Sequence, residues 1–298
     1  MSNPFSFPEP PVITQDDLRK CRESGDYCPV LFEWYKFIGL LCNFFSRIRA
    51  DSPALRPMPP LHFAALIGLL NRCARLMLSN VTLSWEGLFG ETTAIIDRCI
   101  FESSVKVSWL CHKGTDEAFE RFLADGLKTE LEFKRSIQAN INARGGIPLQ
   151  IERRMLTSVD RYIASSGLTE AGIASAKKLP DLASMIQDLW HDRLIYTIGH
   201  RIGSHYVHGT WPSLRMHYLE DAADGHVRPR DHDCRTNVNQ YLFVPVIVLG
   251  AMESFINFVC SEPEHLTAFS DFLKSVRDEI QSITVELVGN DFERVSEI

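Results

Sequence analysis

The stretch LHFAALIGLLNRCARLMLSNVTL, residues 61–83, places apolar side chains around most of the circumference of a helix. A second stretch, FGETTAIIDRCIFESSVKVSWLCH over residues 89–112, also has apolar residues at helical spacing and stops at Lys113-Gly114. A surface helix carries one apolar stripe, whereas a helix that is apolar nearly all round is buried. The two stretches therefore predict two central helices that share one core.

Further helices are predicted toward the N-terminus. Thr14 can cap a short helix over 15–23, with Asp17 at the capping-box position. Apolar residues three and four apart indicate a long helix over 29–49. Residues 52–60 contain four prolines and predict an extended linker. Residues 1–60 are accordingly expected to form an N-terminal helical extension with a Pro-rich linker.

The C-terminal two thirds of the chain also reads as helical. Thr115 is a suitable cap for a helix that ends near Ala143, before Gly145-Gly146. The further helices predicted from periodicity cover 152–164, 181–209, 239–260 and 264–287. Residues 211–237 are rich in charge, Gly and Pro, and are predicted to form a long exposed loop.

The fold class follows from the absence of strand patterns. No long run alternates with period two, and 282–288 is the one fragment that leans toward a strand. The sequence predicts an all-α protein with a central up-and-down helical bundle and peripheral helices. We expect the bundle core over 61–262 and a C-terminal helix and tail over 263–298.

Composition excludes several classes of protein. With 298 residues, 45% hydrophobic residues and a net charge of −7, the chain does not resemble a disordered one. A pI near 5.8 argues against broad coating of nucleic acid or of an anionic membrane, but it allows a local basic site. None of the eight cysteines forms a C-x-x-C pair, which is typical of reduced core thiols.

The sequence also predicts a location. Residues 1–11 have neither a basic segment nor an apolar one, so a signal peptide is not expected. The apolar stretch 30–45 is short for a membrane span, and 242–259 contains Pro245, Glu253 and Asn257. Both read as buried helices. We expect a cytoplasmic protein that does not contact a membrane.

The densest polar pattern lies at YTIGHRIGSHYVHG, residues 196–209. At 100° per residue, Tyr196, His200, Ser204 and His208 form a ladder that drifts slowly round the helix. Arg201, His205 and His208 lie within about 60° of one another on the same arithmetic. Polar groups on a packed helix need partners or a ligand.

A second polar insertion lies on the central helix over 89–112. Arg98 and Glu102 are one turn apart among apolar residues, whereas Asp97 points elsewhere. If this helix faces the polar one, Glu102 could orient a histidine or pair with Arg98. A general acid/base site requires that arrangement, and so does a satisfied buried network.

Together these two motifs resemble the bacterial domain of unknown function 5677 family. The shared pattern is R-x-x-x-E at Arg98 and Glu102, followed by Tyr196 and then by S-x-x-x-H-G at Ser204, His208 and Gly209. The resemblance covers residues 61–260. It implies an α-helical domain and brings almost no assigned chemistry.

The chain is also similar to the HEPN superfamily of helical RNA-cleaving and defence-associated proteins. That motif is an Arg followed, after four to six residues, by a His, and Arg201 and His208 are separated by six. Ile202 stands where the family commonly has a polar residue. The resemblance implies a metal-independent ribonuclease of stress or anti-phage defence. It also implies a homodimer in which two such helices build one composite site.

In that hypothesis Arg201 holds the scissile phosphate, and His208 or His205 moves the proton. Glu102 assists, and the predicted binding residues are Arg98, Tyr196, His200 and Ser204.

Other hypotheses stay open. The same polar residues could form an interior network that fixes the helix register, or could bind a ligand without catalysis. The chain could also be a non-enzymatic scaffold or sensor that binds another protein through 211–237. A di-metal centre is disfavoured because no Glu-x-x-His pairs accompany His205, His208 and Glu102, so no metal or cofactor is predicted.

Overall fold

Two helix caps predicted from the sequence are formed in the structure, whereas the helix predicted over 29–49 ends earlier, at Phe45. The computed structural model describes residues 7–288. Thr14 accepts a hydrogen bond from the Asp17 N–H, and the Asp17 carboxylate accepts one from the Thr14 N–H, which confirms the predicted capping box. Thr115 accepts from the Ala118 N–H at the next predicted cap.

The structure confirms the all-α fold. In chain order the elements are α1 (Gln15–Ser24), α2 (Cys28–Phe45), α3 (Pro60–Glu86), α4 (Gly90–Lys113), α5 (Asp116–Ala143), α6 (Gln150–Ser165), α7 (Glu170–Ser175), α8 (Leu182–Trp190), α9 (Arg193–Tyr196), a π helix (Thr197–Ile202), α10 (Gly203–His208), α11 (Trp211–His217), β1 (Leu219–Asp221), β2 (Val227–Pro229), α12 (Val238–Val259) and α13 (Pro263–Val288).

The chain divides into two compact units. Among the described residues, the first comprises 7–112 and 182–288, and the second is Lys113–Asp181. Within the first unit, α2 packs along α3 and α12. The core of this unit includes side chains with no exposed surface from these three helices and from α4. They are Leu31, Ile38 and Leu41 of α2, Leu66 and Leu70 of α3, Ile100 and Val105 of α4, and Val248 and Leu249 of α12.

The two helices that flank the second unit in sequence are tied together within the first. The indole Nε1 of Trp109, near the end of α4, donates to the Asp188 carboxylate of α8 at 3.1 Å. The second unit has a small core of its own, formed where α5, α6 and α7 meet. Its buried residues are Leu127, Leu131, Val159, Ile163 and Ile173.

Within residues 7–288, two helices have the length and the hydropathy of a membrane span. They are Pro60–Trp85 in α3 and Val238–Val259 in α12, with 39% and 50% of the most apolar window buried. Their buried side chains form the core of the first unit, and core helices of soluble proteins have the same apolar composition.

One predicted helix is wrong in its continuity. The span 181–209 is interrupted after α8, where His191 adopts a left-handed conformation with φ of 55°. Asp192 then caps α9 by accepting from the Leu194 N–H at 2.7 Å. Residues Thr197–Ile202 form a π helix before α10 begins. The spacing of apolar residues does not reveal a single left-handed residue such as His191. Nor does it reveal the extra residue per turn of a π helix, so the sequence predicts neither feature.

Two further expectations require correction. The predicted loop 211–237 contains α11, with Pro212 in its first turn, and an antiparallel hairpin that pairs Leu219 with Pro229 and Asp221 with Val227. The fragment 282–288 lies within α13 and is helical. The predicted boundaries after residues 60 and 262 stay predictions, and the expected tail 289–298 and residues 1–6 lie outside the described residues.

Candidate functional site

The π helix lies directly against α4 because two glycines lie at their interface. Gly199 belongs to the π helix, and Gly203 is the first residue of α10. A Cβ at Gly199 would lie 2.4 Å from the Phe101 ring, and a Cβ at Gly203 would lie 3.2 Å from the Cβ of Arg98. Only a residue without a side chain fits at 199. This close approach brings the two predicted polar motifs into contact.

Arg98, Glu102 and His200 meet at that contact, and we call them the arginine triad. The Arg98 Nε donates to Glu102 Oε1 at 3.1 Å, and Nη2 lies 3.0 Å from His200 Nε2. The same Glu102 oxygen lies 3.4 Å from His200 Nε2. Their side chains are 14%, 32% and 21% exposed, so solvent reaches the triad.

Arg98 donates a hydrogen bond to the histidine of the arginine triad. A guanidinium only donates, so the His200 Nε2 accepts the hydrogen bond from Arg98. Burial and, next, the charge of Arg98 lower the pKa of His200, while Glu102 opposes that shift. With its Nε2 lone pair already engaged, His200 is suited to positioning rather than to proton transfer.

The other predicted residues of this segment are engaged locally. The ring of Tyr196 stacks on His200 with a centroid separation of 5.0 Å. Ser204 Oγ donates to the His200 carbonyl at 2.8 Å, and His205 Nδ1 lies 2.7 Å from Thr210 Oγ1. The structure therefore brings Arg98, Glu102, Tyr196 and His200 together, and it places Ser204 and His205 in backbone and capping contacts.

Arg201 and His208 differ from these residues. Both side chains are exposed. Within residues 7–288 neither forms a hydrogen bond or an ion pair. The interior network considered from the sequence therefore does not include His208. The catalytic and binding roles assigned from the sequence stay predictions.

A cavity of about 230 Å³ lies between α4, the π helix and the start of α12. Arg98 and Asp97 form part of its wall, together with Phe101, Gly199 and Gln240. Arg201, His205 and His208 are not among its lining residues. The cavity therefore lies beside Arg98 of the arginine triad and not beside Arg201 and His208.

A buried network surrounds Asp97, and no local pattern in the sequence predicts it. Asp97 points away from the triad, as predicted, and accepts from the Tyr35 hydroxyl at 2.7 Å, from Asn80 Nδ2 at 2.8 Å and from Gln240 Nε2 at 2.5 Å. Burial raises the pKa of Asp97 to about 7, although these hydrogen bonds oppose the shift. The available signal was a set of polar residues inside apolar helices.

The sequence does not predict a second cluster either, because all of its residues except Glu91 lie in the stretch predicted as a loop. The buried Glu91 carboxylate accepts from the hydroxyls of Ser213 and Tyr218. The Glu91 N–H donates to Asp233 Oδ2 at 3.1 Å, and His217 Nδ1 lies 2.5 Å from Asp233 Oδ1. Nothing in the sequence indicates that residues 91, 213 and 233 meet.

The same cluster contains the residues best placed to hold a metal ion. In the described part of the chain, His217, Asp233 and Cys234 each offer one ligand atom within 4.8 Å of the others. His205, His208 and Glu102, weighed as metal ligands from the sequence, do not converge in this way.

Comparisons with known proteins give a family but no activity. A family model described as a family of unknown function, DUF5677, matches residues 63–226. That range is more than half of the chain and includes the arginine triad, Arg201 and His208. Neither the curated proteins nor the solved structures that were compared include a match. The similarity to the HEPN superfamily stays a prediction. The chain belongs to the DUF5677 family of unknown function.

Proposed function

We propose that this protein is a metal-independent endoribonuclease whose reacting groups are Arg201 and His208. One observation carries the proposal. Along the polar segment 196–208, the other predicted site residues are held by stacking, by hydrogen bonds or by the arginine triad, whereas Arg201 and His208 are exposed and without a protein partner in the described chain.

These two side chains suit phosphodiester cleavage. A guanidinium offers paired N–H donors to phosphate oxygens and remains charged at neutral pH. The two ring nitrogens of an imidazole can accept and donate protons. His208 removes the proton of the ribose 2′-hydroxyl, whose oxygen attacks the adjacent phosphorus and forms a 2′,3′-cyclic phosphate. The bond from phosphorus to the 5′-oxygen breaks, the 5′-oxygen takes a proton from water, and His208 returns its proton to solvent. Arg201 stabilises the charge that develops on the phosphate.

The remaining predicted residues act through position. The arginine triad and the Gly199 contact fix the π helix against α4, and this fixes the direction of the helix that carries Arg201 and His208. His205 bonds to Thr210 and stabilises the end of α10. The proposed setting is the cytoplasm, in stress or anti-phage defence, with RNA as the partner.

The test is cleavage of a labelled single-stranded RNA in EDTA by the full chain. We expect activity from the wild type, and a loss of at least about 100-fold in Arg201→Ala and His208→Ala. His226→Ala is the matched control, because His226 is an exposed histidine of the hairpin turn. Equal cleavage by wild type and His208→Ala, or none by either, contradicts the proposal.

A non-enzymatic scaffold is the second candidate, and a separate observation favours it. Leu194, Ile198 and Ile202 are 56%, 43% and 45% exposed on the segment that carries the polar motif, and Val207 and Trp211 are exposed beyond them. Contiguous exposed apolar surface is typical of a protein interface. Sedimentation velocity of wild type and Ile202→Asp tests whether this surface joins two copies of the chain. A monomeric wild type excludes the predicted homodimer.

A further inference from the structure

We propose that His217, Asp233 and Cys234 bind a divalent transition-metal ion of the zinc type. The proposed site is separate from Arg201 and His208 and does not depend on the ribonuclease proposal. His217 is the last residue of α11, and Asp233 and Cys234 lie in the segment between β2 and α12. A ring nitrogen, a carboxylate oxygen and a thiol sulfur converge there within 4.8 Å.

The donor set selects the class of ion. Imidazole nitrogen, thiolate sulfur and a carboxylate oxygen are the ligands that Zn²⁺ and Co²⁺ take in proteins, whereas Mg²⁺ and Ca²⁺ take oxygen ligands. Three protein ligands leave a fourth tetrahedral position for solvent.

The backbone around these residues is held in place before any ion binds. Asp233 Oδ1 accepts from the Cys234 N–H at 2.6 Å, and Oδ2 accepts from the Glu91 N–H at the start of α4. The Gly90 N–H donates to the Cys234 carbonyl at 2.8 Å, and a Cβ at Gly90 would lie 2.8 Å from that same oxygen. The ligand segment therefore lies directly on the first turn of α4, and ligands fixed in this way lose little entropy on binding.

The histidine is buried with part of its bonding capacity unused. Its side chain is 4% exposed and its ring lies against the Asp233 carboxylate. Its Nε2 is buried and has no hydrogen-bond partner in the described chain. An ion shared by the imidazole and this carboxylate lies at Nδ1, on the edge of the ring that faces Asp233.

Polar contacts fix the position of the Cys234 sulfur. Arg230 Nη1 donates to Cys234 Sγ at 3.1 Å. The thiol otherwise donates to the Met216 carbonyl at 3.2 Å. When the ion binds, the thiol proton leaves to solvent and the sulfur lone pair goes to the ion. The charges of the thiolate and of the Asp233 carboxylate then balance those of a divalent ion.

The test is metal binding by the full chain after treatment with EDTA and removal of the chelator. We expect one Co²⁺ per chain, with the near-ultraviolet absorption of a thiolate-to-cobalt charge transfer, and displacement of Co²⁺ by Zn²⁺. Cys234→Ser abolishes that absorption, and His217→Gln weakens Zn²⁺ binding at least tenfold. Cys99→Ser, a half-buried cysteine of α4, is the matched control and keeps wild-type binding.

A second readout guards against variants that fail to fold. Zn²⁺ raises the Tm of wild type and of Cys99→Ser, because a ligand that binds the folded state stabilises it, and it leaves the Tm of Cys234→Ser unchanged. Circular dichroism reports whether each variant is helical before titration. Wild type that takes up less than one equivalent, or Cys234→Ser with an unchanged cobalt spectrum, overturns the proposal. RNA cleavage in EDTA reports on the other site only, so the two failures are distinguishable.

Discussion

At the scale of single residues, the protonation of the buried Asp97 carboxyl affects stability. Its pKa is raised to about 7 in the folded chain, against 3.8 for a free carboxyl. The folded state therefore binds more protons than the unfolded state between these values, so the free energy of unfolding falls as the pH rises from about 4 to 7. Across this pH range, the raised pKa of Asp97 changes the free energy of unfolding by about 4 kcal/mol.

Chemical denaturation of wild type and Asp97→Asn at several pH values tests this prediction. The variant lacks the titrating group, so we expect the decrease between pH 4 and pH 7 to become shallower in it. Equal slopes in the two proteins would mean that Asp97 stays ionised in the network of Tyr35, Asn80 and Gln240.

Glu102 and His208 are predicted to differ in their effect on stability. Removal of the Glu102 carboxylate leaves the largely buried Arg98 with only His200 beside it, so Glu102→Ala costs about 1 kcal/mol and lowers the Tm by a few degrees. His208 is exposed and unpaired within residues 7–288, so His208→Ala leaves the Tm unchanged. Thermal melts followed by circular dichroism compare them. A large loss in His208→Ala would mean that this histidine has a structural role.

At the scale of elements, Gly199 holds the π helix against α4. A methyl group at this position would overlap the Phe101 ring, which cannot move aside as a flexible chain could. Gly199→Ala is therefore expected to destabilise the protein by about 1–3 kcal/mol. Gly68→Ala in α3 is the matched control, since a Cβ there meets nothing within 4 Å, and it stabilises by about 0.5–1 kcal/mol. Denaturant titration of both variants gives the sign of the change in the free energy of unfolding. An unchanged free energy of unfolding in Gly199→Ala would contradict the close contact.

The elements also show what the sequence could and could not predict. Long helices such as α3, α4 and α12 were predictable because apolar spacing reflects burial directly. The contact of Arg98 and Glu102 with a histidine was foreseen as one alternative, because both motifs interrupt apolar helices. The break at His191 was not foreseen, because one left-handed residue leaves the apolar pattern intact. The meeting of Glu91, His217 and Asp233 depends on tertiary contacts between segments more than 100 residues apart, which no local pattern records.

At the scale of the whole molecule, the net charge of −7 opposes the binding of RNA. The proposed binding therefore depends on a few positively charged side chains. The salt dependence of affinity for single strands has a slope of about −0.7 per neutralised phosphate. We expect a shallow slope for wild type that becomes less steep by about 0.7 in Arg201→Ala. Fluorescence anisotropy with labelled RNA across a salt series measures both slopes. A steep slope that Arg201→Ala does not change would place the RNA elsewhere on the surface.

The hydrogen bond between Trp109 and Asp188 has a consequence for protein engineering. It joins the last turns of α4 to α8, so the chain leaves the first unit and returns to it between elements that are already neighbours. The junction at His112 and Leu182 is therefore suited to cassette exchange. A reporter domain whose own termini are close together is the suitable cassette, and its signal would then follow the folding of the bundle around it.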